Sequence, residues 1–237
     1  MKKNMTLLLS LFTILFAISA TAEGNFIPVP TSEEAPLRLF VGLDGNGGFS
    51  PYLLKHIQGG GSVVYGVGSG FDVGFTLHGG VSNGAHASTQ GLFVDGNMGT
   101  GIVGADFMLR FLGNVTEMFF MGIQATVGYK YDWSGANFAE ASSVPVTAGI
   151  AFGLSFTDVV QIYLFPQFNF GGRGADDSTK IWGSQVGMSA AVGAWINMGG
   201  TKLVIQARPG WETIFNLGNF DSQNFCLDGL IGLAWDM

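Results

Sequence analysis

The sequence predicts an all-β fold: a closed antiparallel up-and-down transmembrane β-barrel of about ten strands, with eight as the alternative. Three observations predict it. Only 11% of the 237 residues are charged while 47% are hydrophobic, whereas a soluble domain carries about a quarter charged residues. Beyond the amino terminus no apolar run reaches the roughly 18 residues of a membrane-spanning helix. From Leu37 onward, apolar residues alternate with polar or small ones, which spreads the hydrophobicity over one face of each strand.

The elements follow in chain order. Residues 1–22 read as a signal peptide, with Lys2 and Lys3 ahead of an apolar stretch from Thr6 to Ser19 and Ala20-Thr21-Ala22 as the small-x-small cleavage site. An uncleaved anchor is the alternative, for which the apolar stretch is short. Residues 23–35 are expected as a periplasmic lead punctuated by Pro28 and Pro30, and residues 36–237 as the barrel. Alternating segments lie at 37–44, 60–68, 72–82, 101–112, 115–131, 143–156, 159–170, 182–198, 201–212 and 225–237. In the segment ending at Ser155, for instance, Ala148, Ile150, Phe152 and Leu154 alternate with Thr147, Gly149, Ala151 and Gly153. Eight strands would remain if the weak early pair, 37–44 and 60–68, failed to form.

The connections alternate in length. Ser69-Gly70-Phe71, Gly113-Asn114, Thr157-Asp158 and Gly199-Gly200 carry turn-forming residues. The stretches 45–59, 83–100, 132–142, 171–181 and 213–224 are longer, and polar or glycine-rich. Short periplasmic turns opposite long extracellular loops are the arrangement of an outer-membrane barrel, and an even strand number leaves both termini in the periplasm.

Charge sharpens the assignment, because a mid-bilayer Lys or Arg on the lipid face costs about 2–4 kcal/mol. Charges should therefore share the parity of the lumen. Asp106 and Arg110 oppose Val103, Phe107, Leu109 and Phe111; Lys130 opposes Met121, Ile123 and Val127; Lys202 and Arg208 oppose Leu203 and Ile205. The inward set Arg38, Asp106, Arg110, Lys130, Lys202, Gln206, Arg208 and Asp228 forms the candidate lumen lining or gate, and Arg208 and Asp228 are expected to approach each other. Glu117 breaks the parity, which a β-bulge after a Gly113-Asn114 turn would restore, pairing it with Arg110. Phe111, Phe119, Phe156, Trp195 and Trp235 near one set of strand ends, and Tyr129, Trp133, Phe168 and Trp211 near the other, are expected as interfacial anchors.

These residues resemble the small bacterial outer-membrane barrels, the class that contains OmpA, OmpX, OmpW and the opacity proteins, over residues 36–237. The carboxyl-terminal Gly232-Leu233-Ala234-Trp235-Asp236-Met237 is similar to their insertion signal, although it ends in Met and has Leu230 where a polar residue is common. The resemblance implies multi-pass residence in the outer membrane, contact with its lipid and lipopolysaccharide, and assembly by the barrel-insertion machinery. It implies no substrate.

The chemistry searched for is sparse. A net charge of −7 and the lack of a basic stripe speak against a nucleic-acid partner. Cys226 is the only cysteine, so no intrachain disulfide forms. His86 and Ser88 are the one close His/Ser pair, and His78 with Asp72 is a candidate Asp/His pair, yet neither has the further acid that a hydrolase needs. His56, His78 and His86 are scattered, Asp176-Asp177 reads as a solvated loop, and Gly59-Gly60-Gly61 and Gly171-Gly172 read as loop ends. No cofactor, metal or enzymatic activity is expected. The functions left open are a narrow channel for small solutes, a structural or surface-contact barrel that meets host ligands, and, third, an outer-leaflet hydrolase.

Overall fold

The computed structural model describes residues 27–31, 34–48, 56–82, 85–88, 91–94, 100–134, 140–157, 159–176, 182–216 and 221–237. Ten strands form the barrel: β1 (Leu37–Gly48), β2 (His56–Gly68), β3 (Phe71–Ser82), β6 (Thr100–Asn114), β7 (Phe119–Ser134), β8 (Glu140–Ser155), β9 (Val160–Asp176), β10 (Trp182–Asn197), β11 (Lys202–Asn216) and β12 (Asp221–Asp236). Each pairs antiparallel with its neighbours, and β1 closes the ring against β12, with Leu39 opposite Trp235 and Leu43 opposite Ile231. Leu37 and Met237 exchange backbone hydrogen bonds at the seam. Ten strands, not eight, is therefore the number, and the weak early pair is β1 and β2. Two short strands, β4 (Ala85–Ser88) and β5 (Gly91–Val94), form a separate hairpin within the connection from β3 to β6.

Closure removes every sheet edge, and with it the unpaired backbone groups that hydrocarbon cannot solvate. Three prolines test this rule. Pro145, Pro166 and Pro209 lie inside strands, and each coincides with a local break in one ladder: β7 with β8, β8 with β9, and β10 with β11, respectively. On its other side each proline stays in register, opposite Gly171, Ala190 and Leu227. A proline lacks one N–H, so it forfeits hydrogen bonding toward one neighbour only.

Alternation in the structure matches the period-two reading. Along β6 the odd-numbered Val103, Phe107, Leu109 and Phe111 are exposed to the outside while Ile102, Asp106, Met108 and Arg110 are buried inside. The outer face is a belt of exposed Val, Ile, Leu, Phe and Met contributed by every barrel strand.

Several boundaries differ from expectation. Gly113 and Asn114 belong to β6, and the turn is residues 115–118, where Val115 N–H donates to Phe119 O. Glu117 is exposed in that turn, so its parity carries no meaning: no bulge forms there and Arg110 pairs elsewhere. The bulge lies between Gly66 and Gly68 instead. Gly59-Gly60-Gly61 sit within β2 and Gly171-Gly172 within β9. Glycine has low strand propensity, which made these runs read as loops, but a ladder pairing both sides overrides it. Gly199 and Gly200 take positive φ (75° and 98°), the pair of left-handed residues that a two-residue hairpin turn requires.

Candidate functional site

The inward residues fall into two zones. Near the turns an apolar cluster joins Phe40, Phe120, Tyr163, Trp195, Val204, Leu230 and Ala234. Two of its rings lie over the adjacent strand where the residue paired with them has no side chain: Phe120 covers Gly153, and the Tyr163 phenol covers Gly193 and donates to Gln206 Oε1 at 2.9 Å. Trp195 is thus an inward residue, not an interfacial anchor. Its parity on β10 is that of Gly187, Ala191 and Gly193, and position near a strand end says nothing about face.

The same cluster contains Ile27 and Val29. The segment expected as a periplasmic lead thus enters the barrel at the turn end. Two arginines hold it by its main chain. Arg38 Nη1 donates to Val29 O at 2.7 Å and Nη2 to Pro30 O at 2.9 Å, while Arg110 Nη1 donates to Ile27 O at 2.6 Å. Both arginines are balanced by wall aspartates. Arg38 binds Asp236 through Nε at 2.6 Å and Nη2 at 3.0 Å. Arg110 donates from Nε to Asp72 Oδ2 at 2.7 Å, and its Nη2 lies 2.6 Å from the same oxygen as an ion-pair contact without hydrogen-bond direction. Lys202 also reaches Asp236, and the Arg38 guanidinium lies 4.4 Å from the Trp195 ring centroid, with Lys202 Nζ at 5.4 Å. Thr31 Oγ1 donates to Asp72 Oδ1 at 2.5 Å. Between this segment and the turns lies a cavity of about 1180 Å³ lined in part by Glu34, Glu117, Gln161 and Asn197.

Toward the loops the lining turns polar. His78 Nε2 lies 2.9 Å from Asp106 Oδ2 and His56 Nε2 lies 3.0 Å from Asp44 Oδ1. Gln167, Asn169 and Ser189 form a hydrogen-bonded chain, Thr126 bonds Thr147, and Lys130 is buried beside them. Arg208 stands directly opposite Asp228 and donates from Nε at 2.6 Å, the approach that their shared distance from the loop predicts.

Of the eight candidate residues, Arg38, Arg110 and Lys202 gather at the turn end with Asp72, Asp236 and Trp195. Asp106, Lys130, Arg208 and Asp228 line the loop half, and Gln206 meets Tyr163. His78 does not pair with Asp72. The two lie six residues apart on one strand, about 20 Å at the rise of an extended chain, so Asp72 takes Arg110 and His78 takes Asp106 across strands. The inward parity of Asp44 in the segment 37–44 was legible in the sequence, but sequence reasoning missed its partner His56, whose parity was readable only once β2 extended back to 56. His86 and Ser88 fall in β4, opposite Phe93 and Gly91, and their side chains, like Asp177 and residues 1–22, lie outside the described residues. Among the described residues no group of three or more His, Cys, Asp or Glu side chains is placed to hold a metal ion.

A closed ten-strand ladder with an apolar outer belt and charges turned inward defines an integral outer-membrane β-barrel. No known protein family matches the chain, and no curated protein matches it in sequence. Among solved structures it is similar to the outer membrane protease OmpT from Escherichia coli, at 10% identity and a TM-score of 0.45 over 92% of this chain and all of that one. It is also similar to the β domain of the Bordetella autotransporter BrkA, at 11% identity and a TM-score of 0.46 over 85% of this chain and all of that one. The KdgM porin, in complex with oligogalacturonate, aligns at 7% identity and a TM-score of 0.32 over 84% of this chain and 99% of that one.

Proposed function

We propose that this barrel is a narrow channel for small solutes, shut at its turn end in the state described. One observation carries the reading: the centre of the turn end is filled by the chain's own residues 27–31, held through main-chain carbonyls by Arg38 and Arg110. A lumen filled by a separate segment differs from one filled only by wall side chains, because the filler leaves as a unit. The loop half supports the same reading. Among the described residues the side chains of Gln58 and Thr76 are buried without a hydrogen-bond partner, and a buried polar group needs water when protein does not serve it. A ten-strand wall leaves room for a narrow passage only, so a wide general pore is outside the proposal.

The lining favours no sign of charge. Arg38, Arg110, Lys130, Lys202 and Arg208 are matched by Asp44, Asp72, Asp106, Asp228 and Asp236, so weak ion selectivity is expected. The test is planar-bilayer conductance of a chain starting at Leu37. Every backbone bond that joins the barrel strands lies within residues 37–237, so the shortened chain keeps the ring. Small, discrete openings are expected; silence from a correctly folded, heat-modifiable barrel would end the channel reading.

Silence would leave the second reading, a non-conducting structural or surface-contact barrel. It draws on the cluster of Phe40, Phe120, Tyr163 and Trp195, which narrows the lumen from the wall itself. An outer-leaflet hydrolase has least support: in the pairs His78–Asp106 and His56–Asp44 each imidazole is turned into the lumen and nearly fully buried, away from the outer leaflet.

A further inference from the structure

The geometry points to a peptide-binding site at the turn end of the lumen, built for a proline-rich segment that it reads through the main chain, with residues 27–31 and 34–36 as its removable occupant. Five observations converge. The wall offers donors where the segment offers acceptors: Arg38 and Arg110 supply three hydrogen bonds to the carbonyls of Ile27, Val29 and Pro30, and Gly66 N–H donates to Pro36 O at 2.8 Å. The segment, in turn, is poor in donors. Pro28, Pro30 and Pro36 have no N–H, and Val29 N–H is satisfied within the segment by Ile27 O at 2.8 Å. Such a segment brings fewer donors into the lumen than an ordinary peptide of its length, and proline has already removed much of the backbone freedom that seating would cost.

The wall is also notched to receive it. A Cβ at Gly66 would lie 2.5 Å from Thr31 Oγ1 and 3.3 Å from Thr31 Cβ, so any side chain there collides with the seated segment. One side chain sets the register: Thr31 donates to Asp72, the carboxylate that also holds Arg110. Finally, Ile27 and Val29 fill the gap inside the ring of Phe40, Phe120, Tyr163 and Trp195. The ligand class is thus a peptide with alternating prolines, β-branched apolar side chains between them and a hydroxyl at the mouth. That its departure opens a passage rests on the channel reading above; that it binds does not.

Two experiments separate these statements. The first exploits the notch. A Thr31→Cys/Gly66→Cys variant, with Cys226→Ser, places two Cβ atoms 3.3 Å apart, a few tenths of an ångström short of the roughly 3.5–4.5 Å range of disulfides, a gap that a small shift of the segment closes. Mild oxidation is expected to join them and to reduce channel openings by about tenfold or more, with full recovery in reductant, since the bond removes the segment's freedom to leave. The second adds a free peptide of residues 23–36 to the chain that starts at Leu37. Tethering supplies an effective concentration of roughly millimolar, so the peptide is expected to block openings saturably at or below about that level. It is also expected to change the emission of Trp195, against which Arg38 stacks. If the shortened barrel conducts but neither peptide nor oxidation alters its openings, the peptide site is overturned and the channel stands. If the shortened barrel is silent, the channel falls, and Trp195 emission decides the site alone: a saturable change sustains it and a flat titration overturns it.

Discussion

Replacing Asp72 with Leu removes the carboxylate on which the turn-end network depends. Asp72 accepts from Arg110 Nε at 2.7 Å and from Thr31 Oγ1 at 2.5 Å, and is itself buried. A hydrogen bond to a charged group contributes about 1.5–3 kcal/mol, and both bonds end on the carboxylate, so the lost contacts sum to roughly 3–6 kcal/mol. Leaving one partner of a buried pair uncompensated costs about 3–5 kcal/mol in measured cases. Arg110 keeps Ile27 O at 2.6 Å, which holds the expectation near the lower figure, about 3 kcal/mol. The assay is urea unfolding in lipid vesicles, followed by tryptophan emission. With a slope of roughly 2–3 kcal/mol per molar, the midpoint should fall by about 1–1.5 M. The double variant Asp72→Leu/Arg110→Met should recover most of that loss, because two apolar groups replace a buried pair at little cost, while weakening the grip on Ile27. A single-variant loss below about 1 kcal/mol, or a double variant worse than either single one, would refute the reading of Arg110 and Asp72 as a coupled buried pair.

Gly153→Ala puts a methyl group into the ring of Phe120; a loss of about 1–3 kcal/mol is expected, with Phe120→Leu in the same chain restoring it, as thermal or urea unfolding will report. Val127→Lys, mid-strand on the exposed outer face of β7, should cost about 2–4 kcal/mol in a bilayer, and a near-neutral effect would contradict its lipid exposure. Trp195→Leu removes the stack with Arg38 and Lys202 and should destabilise the barrel by roughly 0.5–2 kcal/mol. That part of the loss should shrink in Arg38→Gln when the two are combined in a double-mutant cycle.

Parity carried most of what was legible. Because successive side chains of a strand point to opposite faces, Asp106 and Arg110 announced the lumen face of β6, and the same logic placed Lys130, Arg208 and Asp228 inside. The turn Gly199-Gly200 was equally plain, since two adjacent glycines between alternating segments leave few other structures. Single glycines inside strands, such as Gly149 and Gly153, were legible from parity, but runs of glycine were not. Gly59 to Gly61 lack the side chains from which propensity is read, and only their pairing with β1 and β3 shows them to be strand. Glu117 misled for the opposite reason: an exposed turn residue was given the meaning of a strand residue.

Residue type and spacing thus determined that this chain is an alternating β-barrel with charges inside and hydrocarbon outside, because lipid and lumen impose that pattern on every strand separately. Apart from Arg208 with Asp228, whose meeting the shared loop already indicated, tertiary structure decided which charges meet. Asp72 with Arg110, His78 with Asp106 and Arg38 with Asp236 are set by register between strands far apart in sequence, and no local pattern encodes register across a closing ring. The seating of Ile27 and Val29 belongs to the same category. Nothing in Ile-Pro-Val-Pro names its destination; the notch at Gly66 and the donors of Arg38 and Arg110 do, and these converge only when the barrel closes.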